Sequence, residues 1–313
     1  MNYKLKNFIK KKLFISNRGH KIYTIFGDAV RRKRAKLSDR EYVERAFYEN
    51  TGKRLDLDNP KNYNDKLLWL SLNERIPMKT RCADKYLVRS YVEECGFGNI
   101  LNNLLGVYDS VNEIPFNQMP ELFFIKTNHD SGTYALIDKR KKNYSEDLER
   151  IESALSKNYY FESREWQYKD IVPKVLCEEY LYTDDPCGLI DYRFFCFSGK
   201  IGFIAVDIGT TSSNGEHSFV AKRNIYNVSF EPINATLKRE HFDPKLVKKP
   251  EHFDEMCHIA EVLSKPFSHV RVDLYNIHGR IVFGEMTFCN GGGMQLLEPE
   301  EFNLEIGKLI NVI

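Results

Sequence analysis

The stretch RVDLYNIHGRIVFGEMTF, residues 271–288, decides the fold. Two apolar-rich runs, Val270 to Tyr275 and Ile281 to Phe288, flank Asn276-Ile277-His278-Gly279, so the stretch reads as a β-hairpin. Side chains alternate across a strand, which puts Arg271 on the same face as Asp273. A turn centred near residues 277–279 sets Asp273 opposite Glu285. Like charges directly opposite are destabilising. Two readings remove that penalty. A divalent cation can lie between the acids, since Mg²⁺ takes one or two carboxylates plus phosphate oxygens. Alternatively, Arg271 pairs with either acid on a solvated sheet face. Gly291-Gly292-Gly293 follows, offering flexible backbone N–H donors beside the acids.

Working upstream, Tyr192 to Phe197 and Ile201 to Val206 flank Ser198-Gly199-Lys200 and read as a second hairpin. Lys174 to Leu181 reads as a strand, as does Leu122-Phe123-Phe124-Ile125 after the Pro-marked stretch 109–120. Lys126 closes that run and leads into Thr-Asn-His-Asp-Ser-Gly, ending at Gly132. A lysine at a strand end before a small polar loop makes a phosphate cradle of backbone N–H groups plus one point charge. A surface lysine before a turn is the bland reading of the same residues. Helices are expected over residues 41–75, with Leu67, Leu68, Trp69 and Leu70 as core, and from Asp84 to Cys95, stopped by Gly96. Further helices are expected from a Ser145 cap to about Asn158, and over Asp254–Lys265 before Pro266. A helical front followed by mixed strands and helices defines an α+β protein with largely antiparallel sheets.

At 313 residues, with 42% hydrophobic and 29% charged residues, the chain is expected to fold around a sizeable core rather than stay disordered. No run reaches the roughly 18 apolar residues of a spanning helix, and no signal peptide is apparent. Seven cysteines (82, 95, 177, 187, 196, 257, 289) lack CxxC spacing, so reduced cytoplasmic thiols fit better than disulfides or zinc. The net charge of +2 conceals an asymmetry. Residues 1–40 hold 13 Lys/Arg against Asp28 and Asp39, a balance of +11; the remaining 33 basic and 42 acidic residues give −9. The arm interleaves Leu5, Phe8, Ile9, Leu13 and Phe14 with lysines, which suits an amphipathic helix on an anionic membrane surface through residues 1–36. A basic helix packed on its own domain explains the arm equally. A nucleic-acid arm finds support in Arg31-Arg32-Lys33-Arg34 but no base-reading motif, and no nucleic-acid partner is expected.

The ordered set DKYLVRSYVEECG, FFIKTNHDSG, CEEYL, DYRFFCFSGK and RVDLYNIHGRIVFGEMTF, from about Asp84 to Gly293, resembles the ATP-grasp superfamily. More narrowly it is similar to the TupA-like (teichuronopeptide-type) ATP-grasp proteins of bacterial surface-polysaccharide biosynthesis. The resemblance implies two α+β lobes clamping ATP, with a basic arm at 1–40, a mostly helical region at 41–118 and an ATP-grasp domain at 119–313. The lobes would divide as 119–181 and 182–313. By the same match, Lys126 and Lys85 contact phosphates, and the loop carrying His129, Ser131 and Gly132 folds over them. Glu178 and Glu179 lie around the adenine amine, the Leu181 amide faces the ring, and Asp191 takes the ribose, with Asp184 or Asp185 as substitutes. Asp273 and Glu285 match the Mg²⁺ carboxylates. Thr287 stands where the superfamily usually has Asn, with Asn290 close behind, so one shared Mg²⁺ is expected. Arg271 matches the arginine aimed at the acylphosphate, Gly291 or Gly292 completes an oxyanion site, and Arg193 offers a fork for the substrate carboxylate.

The activity this implies is ATP- and Mg²⁺-dependent amide formation between a carboxylate and an amine. Its partners would be a sugar-acid or polysaccharide acceptor and an amino acid or amine. A nucleotide-sugar glycosyltransferase is the alternative, though no clear DxD follows an apolar strand. An ATP-grasp phosphotransferase acting on a sugar hydroxyl is the third. His129 or Asp130 is the candidate general base.

Overall fold

The computed structural model describes residues 36–141, 144–210 and 221–312. The helix expected in the basic arm lies outside them, Lys36 aside. Four helices open the described chain: α1 (Asp39–Thr51), α2 (Tyr63–Asn73), α3 (Pro77–Ala83) and α4 (Val88–Glu94). α1 starts at a Ser38–Glu41 capping box and stops at Gly52, whose φ of 74° no side-chain-bearing residue adopts cheaply. The helical stretch expected over 41–75 is therefore two helices. Asp84 does not begin one either. Its carboxylate accepts from the N–H groups of Tyr86 and Leu87, and this local bonding displaces helix until Val88.

The first lobe is a four-stranded antiparallel sheet in the order β1-β4-β2-β3, from β1 (Leu104–Tyr108), β2 (Leu122–Thr127), β3 (Tyr134–Asp138) and β4 (Val175–Glu179). One face packs on α5 (Ser145–Leu155), burying Phe123, Ile125, Ile137, Ile151, Val175 and Cys177. Ser145 is the first helical residue rather than the cap. β1 enters this sheet ahead of residue 119, where the resemblance places the lobe's start; β1 pairs with a strand some 70 residues later, a partner local pattern does not reveal. A short helix α6 (Tyr160–Ser163) lies on the way to β4.

The second lobe is a six-stranded antiparallel sheet in the order β11-β10-β5-β6-β7-β8. Its strands are β5 (Asp191–Phe197), β6 (Lys200–Ile208), β7 (Lys222–Tyr226), β8 (Pro232–Ile233), β10 (Val270–Ile277) and β11 (Arg280–Thr287). The hairpin between β10 and β11 turns on two residues, His278 at φ 50° and Gly279 at φ 85°, the tight left-handed pair that matches strand twist. One face, with Phe194, Cys196, Ile204, Val206, Val272 and Leu274, packs on α7 (Phe253–Ser264) and on α4. The opposite face sets Phe195, Phe203, Ala205 and Ile225 against α1, α2 and α8 (Glu300–Gly307). Burying one such side chain contributes about 1.5–3 kcal/mol. The front helices thus form one core with the second sheet. On that same face, alternation continues the row from Phe195 to Arg193 and Asp191, where apolar packing gives way to charge.

Candidate active site

On the first sheet, Phe124, Lys126, Leu176 and Glu178 share the face opposite α5. Lys126 Nζ reaches Glu178 Oε2 at 2.7 Å, with Arg89 at 3.9 Å on the far oxygen of Glu178. The Phe124 ring stacks parallel to Tyr180 at 6.2 Å and meets Tyr134 at 5.8 Å. These aromatics form a flat apolar floor beside the lysine, unmarked by any sequence motif. Glu178 and Glu179 diverge, as adjacent strand residues must. Glu179 is exposed on the other face, so only Glu178 stands beside Lys126. Leu181 follows the end of β4, half-buried.

The loop after β2 is anchored at its base and open at its tip. Asn128 N–H donates to the Lys174 carbonyl and the Asn128 carbonyl accepts from Lys85 N–H, each at 3.1 Å. Lys85 Nζ donates to the Asp130 carbonyl, and Glu285 of the second lobe attracts it as well. Burial lowers the pKa of this lysine. Lys85 thereby links the backbone of this loop to a second-lobe acid. Ser131 and Gly132 are exposed, and Gly132 has φ 93°. His129 departs from the expected role: it is buried, with Nε2 3.2 Å from the carbonyls of Ala154 and Lys157, and braces the loop against the end of α5. A cavity of about 120 Å³ lies behind the loop, lined by His129, Asp130, Tyr159 and Glu162 among others. A larger one of about 440 Å³ sits between α1 and α2, away from both charged sets.

On the second sheet, Asp273 stands opposite Glu285 in the ladder, as the hairpin pattern predicts. Arg271 lies between them and is buried rather than on a solvated face. Its Nε and Nη2 donate to the two oxygens of Asp273 at 2.6 and 2.5 Å, and Nη2 also reaches Glu285 Oε1 at 2.7 Å. Nη1 donates to Asn290 Oδ1. Burial pushes Asp273 up to about 6 despite Arg271. Burial also acts on Glu285, but Arg271, Lys85 and Arg193 outweigh it and hold its pKa below the ordinary range. The Glu285 side chain remains 41% exposed. Its donor chemistry suits Mg²⁺: hard carboxylate oxygens at an accessible point, with too few protein ligands to enclose the ion. Among the described residues no three His, Cys, Asp or Glu side chains converge as a metal cage. Thr287 donates to Glu285 at 3.1 Å and orients it. Asn290 bonds Arg271 on one side and Gln295 on the other, at 2.7 Å, so it aims the arginine rather than standing free for a metal.

Gly291, Gly292 and Gly293 all adopt positive φ (57°, 63°, 74°), one turn that only glycine makes without strain. A Cβ on Gly293 would sit 2.4 Å from Leu68 of α2, so the turn is pressed against the front helices. Of the two glycines expected to offer an oxyanion N–H, Gly292 has its own taken by the Cys289 carbonyl at 2.9 Å.

A second buried cluster lies alongside, and no sequence motif marks it. Asp207, fully buried, accepts from Arg223 Nε and Nη2 at 2.5 and 2.6 Å and from Arg239 Nη1 at 2.5 Å. Arg193 Nε lies 3.1 Å from the same carboxylate, with Asp191 at 3.5 Å and Asp273 at 3.8 Å. Burial opposes the charge, but three guanidiniums win and hold Asp207 at about 2. Arg193 is thus enclosed by three aspartates, and the free fork expected for a substrate carboxylate is not presented there. Asp191 accepts from Thr210 at 2.7 Å.

Two antiparallel α+β lobes, one with a lysine and a polar loop, the other with an arginine-bridged acid pair, define an ATP-grasp fold. The chain belongs to the TupA-like ATP-grasp family, whose model matches residues 65–311. No curated protein matches the sequence. Among solved structures it is similar to an L-amino acid ligase from Bacillus licheniformis, at 13% identity and TM-score 0.41, covering 70% of this chain and 46% of that one. A D-alanine–D-alanine ligase from Bacillus anthracis, complexed with ATP, matches at 14% identity and TM-score 0.38, covering 66% and 55%. The ATP-grasp ligase PsnB, complexed with a precursor variant, Mg and ADP, matches at 10% identity and TM-score 0.38, covering 72% and 57%. The chain spans about half the length of these structures.

Proposed function

We propose that this protein is an ATP- and Mg²⁺-dependent ligase that joins a carboxylate to an amine, the carboxylate belonging to a uronic acid of a bacterial surface polysaccharide. The arrangement that carries the reading is Arg271 between Asp273 and Glu285, facing Lys85 and the phosphate loop. In this reading Glu178 and the Leu181 amide hold the adenine above the Phe124–Tyr180 floor, and Asp191 takes the ribose. Lys126, Lys85 and the Ser131–Gly132 tip hold the phosphates. Asp273 and Glu285 hold Mg²⁺, which when bound neutralises charge on the phosphoryl oxygens.

The substrate carboxylate oxygen attacks the γ-phosphorus and the bond to the β-bridging oxygen breaks, releasing ADP. The amine nitrogen then attacks the acyl carbon, the carbon–oxygen bond breaks, and inorganic phosphate leaves with loss of one proton from nitrogen. Arg271 is fixed for the charged stages: four of the five N–H groups of a guanidinium are already committed, leaving one on Nη1 for the reacting oxygens. The Gly291 N–H supports it. His129 is occupied structurally, and Asp130, buried with one oxygen accepting from Thr127, is the remaining loop residue of the two expected as base. Residues 1–36 would hold the enzyme at an anionic membrane surface; liposome flotation with and without residues 1–15 tests this part. No helix among the described residues is long and apolar enough to cross a membrane.

The test is product analysis with ATP, Mg²⁺, a uronic acid and an amine. Free phosphate and an amide in equal amounts are expected. Phosphate retained on a sugar would mark the phosphotransferase instead, and UDP-sugar turnover without ATP the glycosyltransferase.

A further inference from the structure

Between α6 and β4 the chain makes one 3₁₀ turn, Trp166–Tyr168. Arg164, at φ 62°, ends α6 and turns the chain inward. Glu165 and Gln167 are buried as a result, at 4% and 2% exposure, although both are strongly polar. The Glu165 N–H donates to Ser163 Oγ, and one carboxylate oxygen accepts from Gln167 Nε2, each at 3.1 Å. Among the described residues no lysine, arginine or histidine forms an ion pair with Glu165. A carboxylate buried without a cation is costly, and such groups gather where chemistry needs them.

The surroundings of Glu165 place it at the reacting centre. Helix α3 packs on this turn and also on β11, the strand that carries Glu285. Burial pushes Glu165 up to about 8 and Glu285 adds to the rise, while Gln167 and Arg271 oppose it. Glu285 and Arg271 act in the same two directions on Tyr168, three residues on. The Tyr168 ring meets Tyr159 edge-on at 5.0 Å, and Tyr159 lines the cavity behind the loop together with Asp130 and Ser131. Glu165 thus stands between that loop and the Arg271–Glu285 pair. The other titratable groups around it keep their charge state near pH 8. Burial raises Tyr159, Tyr168 and Cys289, all of which stay neutral. On α3, Lys79 is paired with Glu74, Arg81 with Glu94, and burial pushes Cys82 up to about 12. Asp273, at about 6, titrates lower.

We propose that Glu165, rather than Asp130, takes the proton from the substrate amine. This rests on the ligase reading above, and the test separates the two. The amine arrives as an ammonium; one N–H bond breaks and its proton passes to a carboxylate oxygen of Glu165, leaving the lone pair on nitrogen. That nitrogen attacks the acyl carbon, the carbon–oxygen bond to phosphate breaks, and a second proton leaves with the phosphate. Asp130 already has one oxygen bonded to Thr127. A base that titrates near the working pH suits this transfer, and an ammonium beside Glu165 favours its ionised form.

The test compares two nucleophiles on the full chain with ATP, Mg²⁺ and galacturonate. Glycine needs a base to lose its proton, whereas hydroxylamine is already unprotonated at neutral pH. Glu165→Gln is expected to lower amide formation from glycine at least about 100-fold, and hydroxamate formation by less than about threefold. Hydroxamate synthesis by the variant also shows that it is folded. The wild-type ratio of amide to hydroxamate should rise with pH and bend near pH 8; Glu165→Gln should remove the bend, and Glu165→Asp should restore part of the amide rate. Equal loss of both products makes Glu165 a structural residue and overturns the inference, as does an amide rate that survives Glu165→Gln. Hydroxamate without amide from the wild type keeps the ligase reading and overturns the inference alone. Neither product from the wild type brings down the ligase reading, and the inference with it.

Discussion

The two lobes hold their charges in opposite ways. On the first sheet, Lys126 has one carboxylate in contact, Glu178, and stands partly open to water. On the second, Asp207 is sealed beneath three arginines and Arg271 is locked onto two acids and an amide. A solvated ion pair contributes about 0–1 kcal/mol, whereas removing one member of a buried network costs about 3–5 kcal/mol. Lysine is a flexible point charge and arginine a planar fork. The first lobe therefore carries a loosely held, partly exposed charge, and the second carries charges fixed by their own buried partners.

The strongest way to break this comparison is Asp207→Asn. It takes the paired carboxylate from Arg223 and Arg239, and the expected loss is about 3–5 kcal/mol, read as a lower urea midpoint at unchanged slope. A loss below about 1 kcal/mol would mean that the second lobe does not depend on its network. Next comes Lys126→Ala, expected to change stability by about 1 kcal/mol or less while lowering ADP release at least about 100-fold, some 2.7 kcal/mol of transition-state stabilisation. If stability falls more than turnover does, the lysine is structural and the contrast between lobes fails.

The mildest effect is a pH dependence of the second lobe's core. His269 is buried against Phe197 and Tyr63, and burial depresses its pKa to about 3 from an ordinary 6.5. Between these values the unfolded chain binds the extra proton, so the contribution of His269 to stability falls as pH drops from 6.5 towards 3, by up to about 1.4 kcal/mol per unit, while Asp273, raised to about 6, acts in the opposite direction. Above pH 6.5 the contribution is constant. Urea titrations at pH 7, 6 and 5 measure the slope, and His269→Asn should flatten it by one proton. An unchanged slope would show that other groups govern acid sensitivity.

The hairpin at residues 270–288 was legible because its information is local: a two-residue turn and a period of two fix which side chains face each other. Lys126 and its loop were legible for the same reason. Glu178 and Glu179 could not both face the nucleotide, a consequence of alternation that sequence reading passed over in favour of the motif. His129 sits in the right loop, but whether its ring turns out to the ligand or in to α5 depends on a helix end 25 residues away. Arg223 and Arg239 were missed because neither lies in a motif. Their common partner is 16 and 32 residues distant, reached only through the pairing of β6 with β7 and the return of the chain beyond β9 (Thr236–Leu237).

By itself the sequence determined the α+β class, the order of the charged motifs and the facing of Asp273 and Glu285, since each follows from short-range periodicity and turn chemistry. Only the tertiary structure decided which charges are buried, which are shared and which remain open. Burial and partnership arise from elements far apart in the chain. The energy of a charge depends on the water it loses and the partners it gains, and neither is written in its neighbours along the sequence.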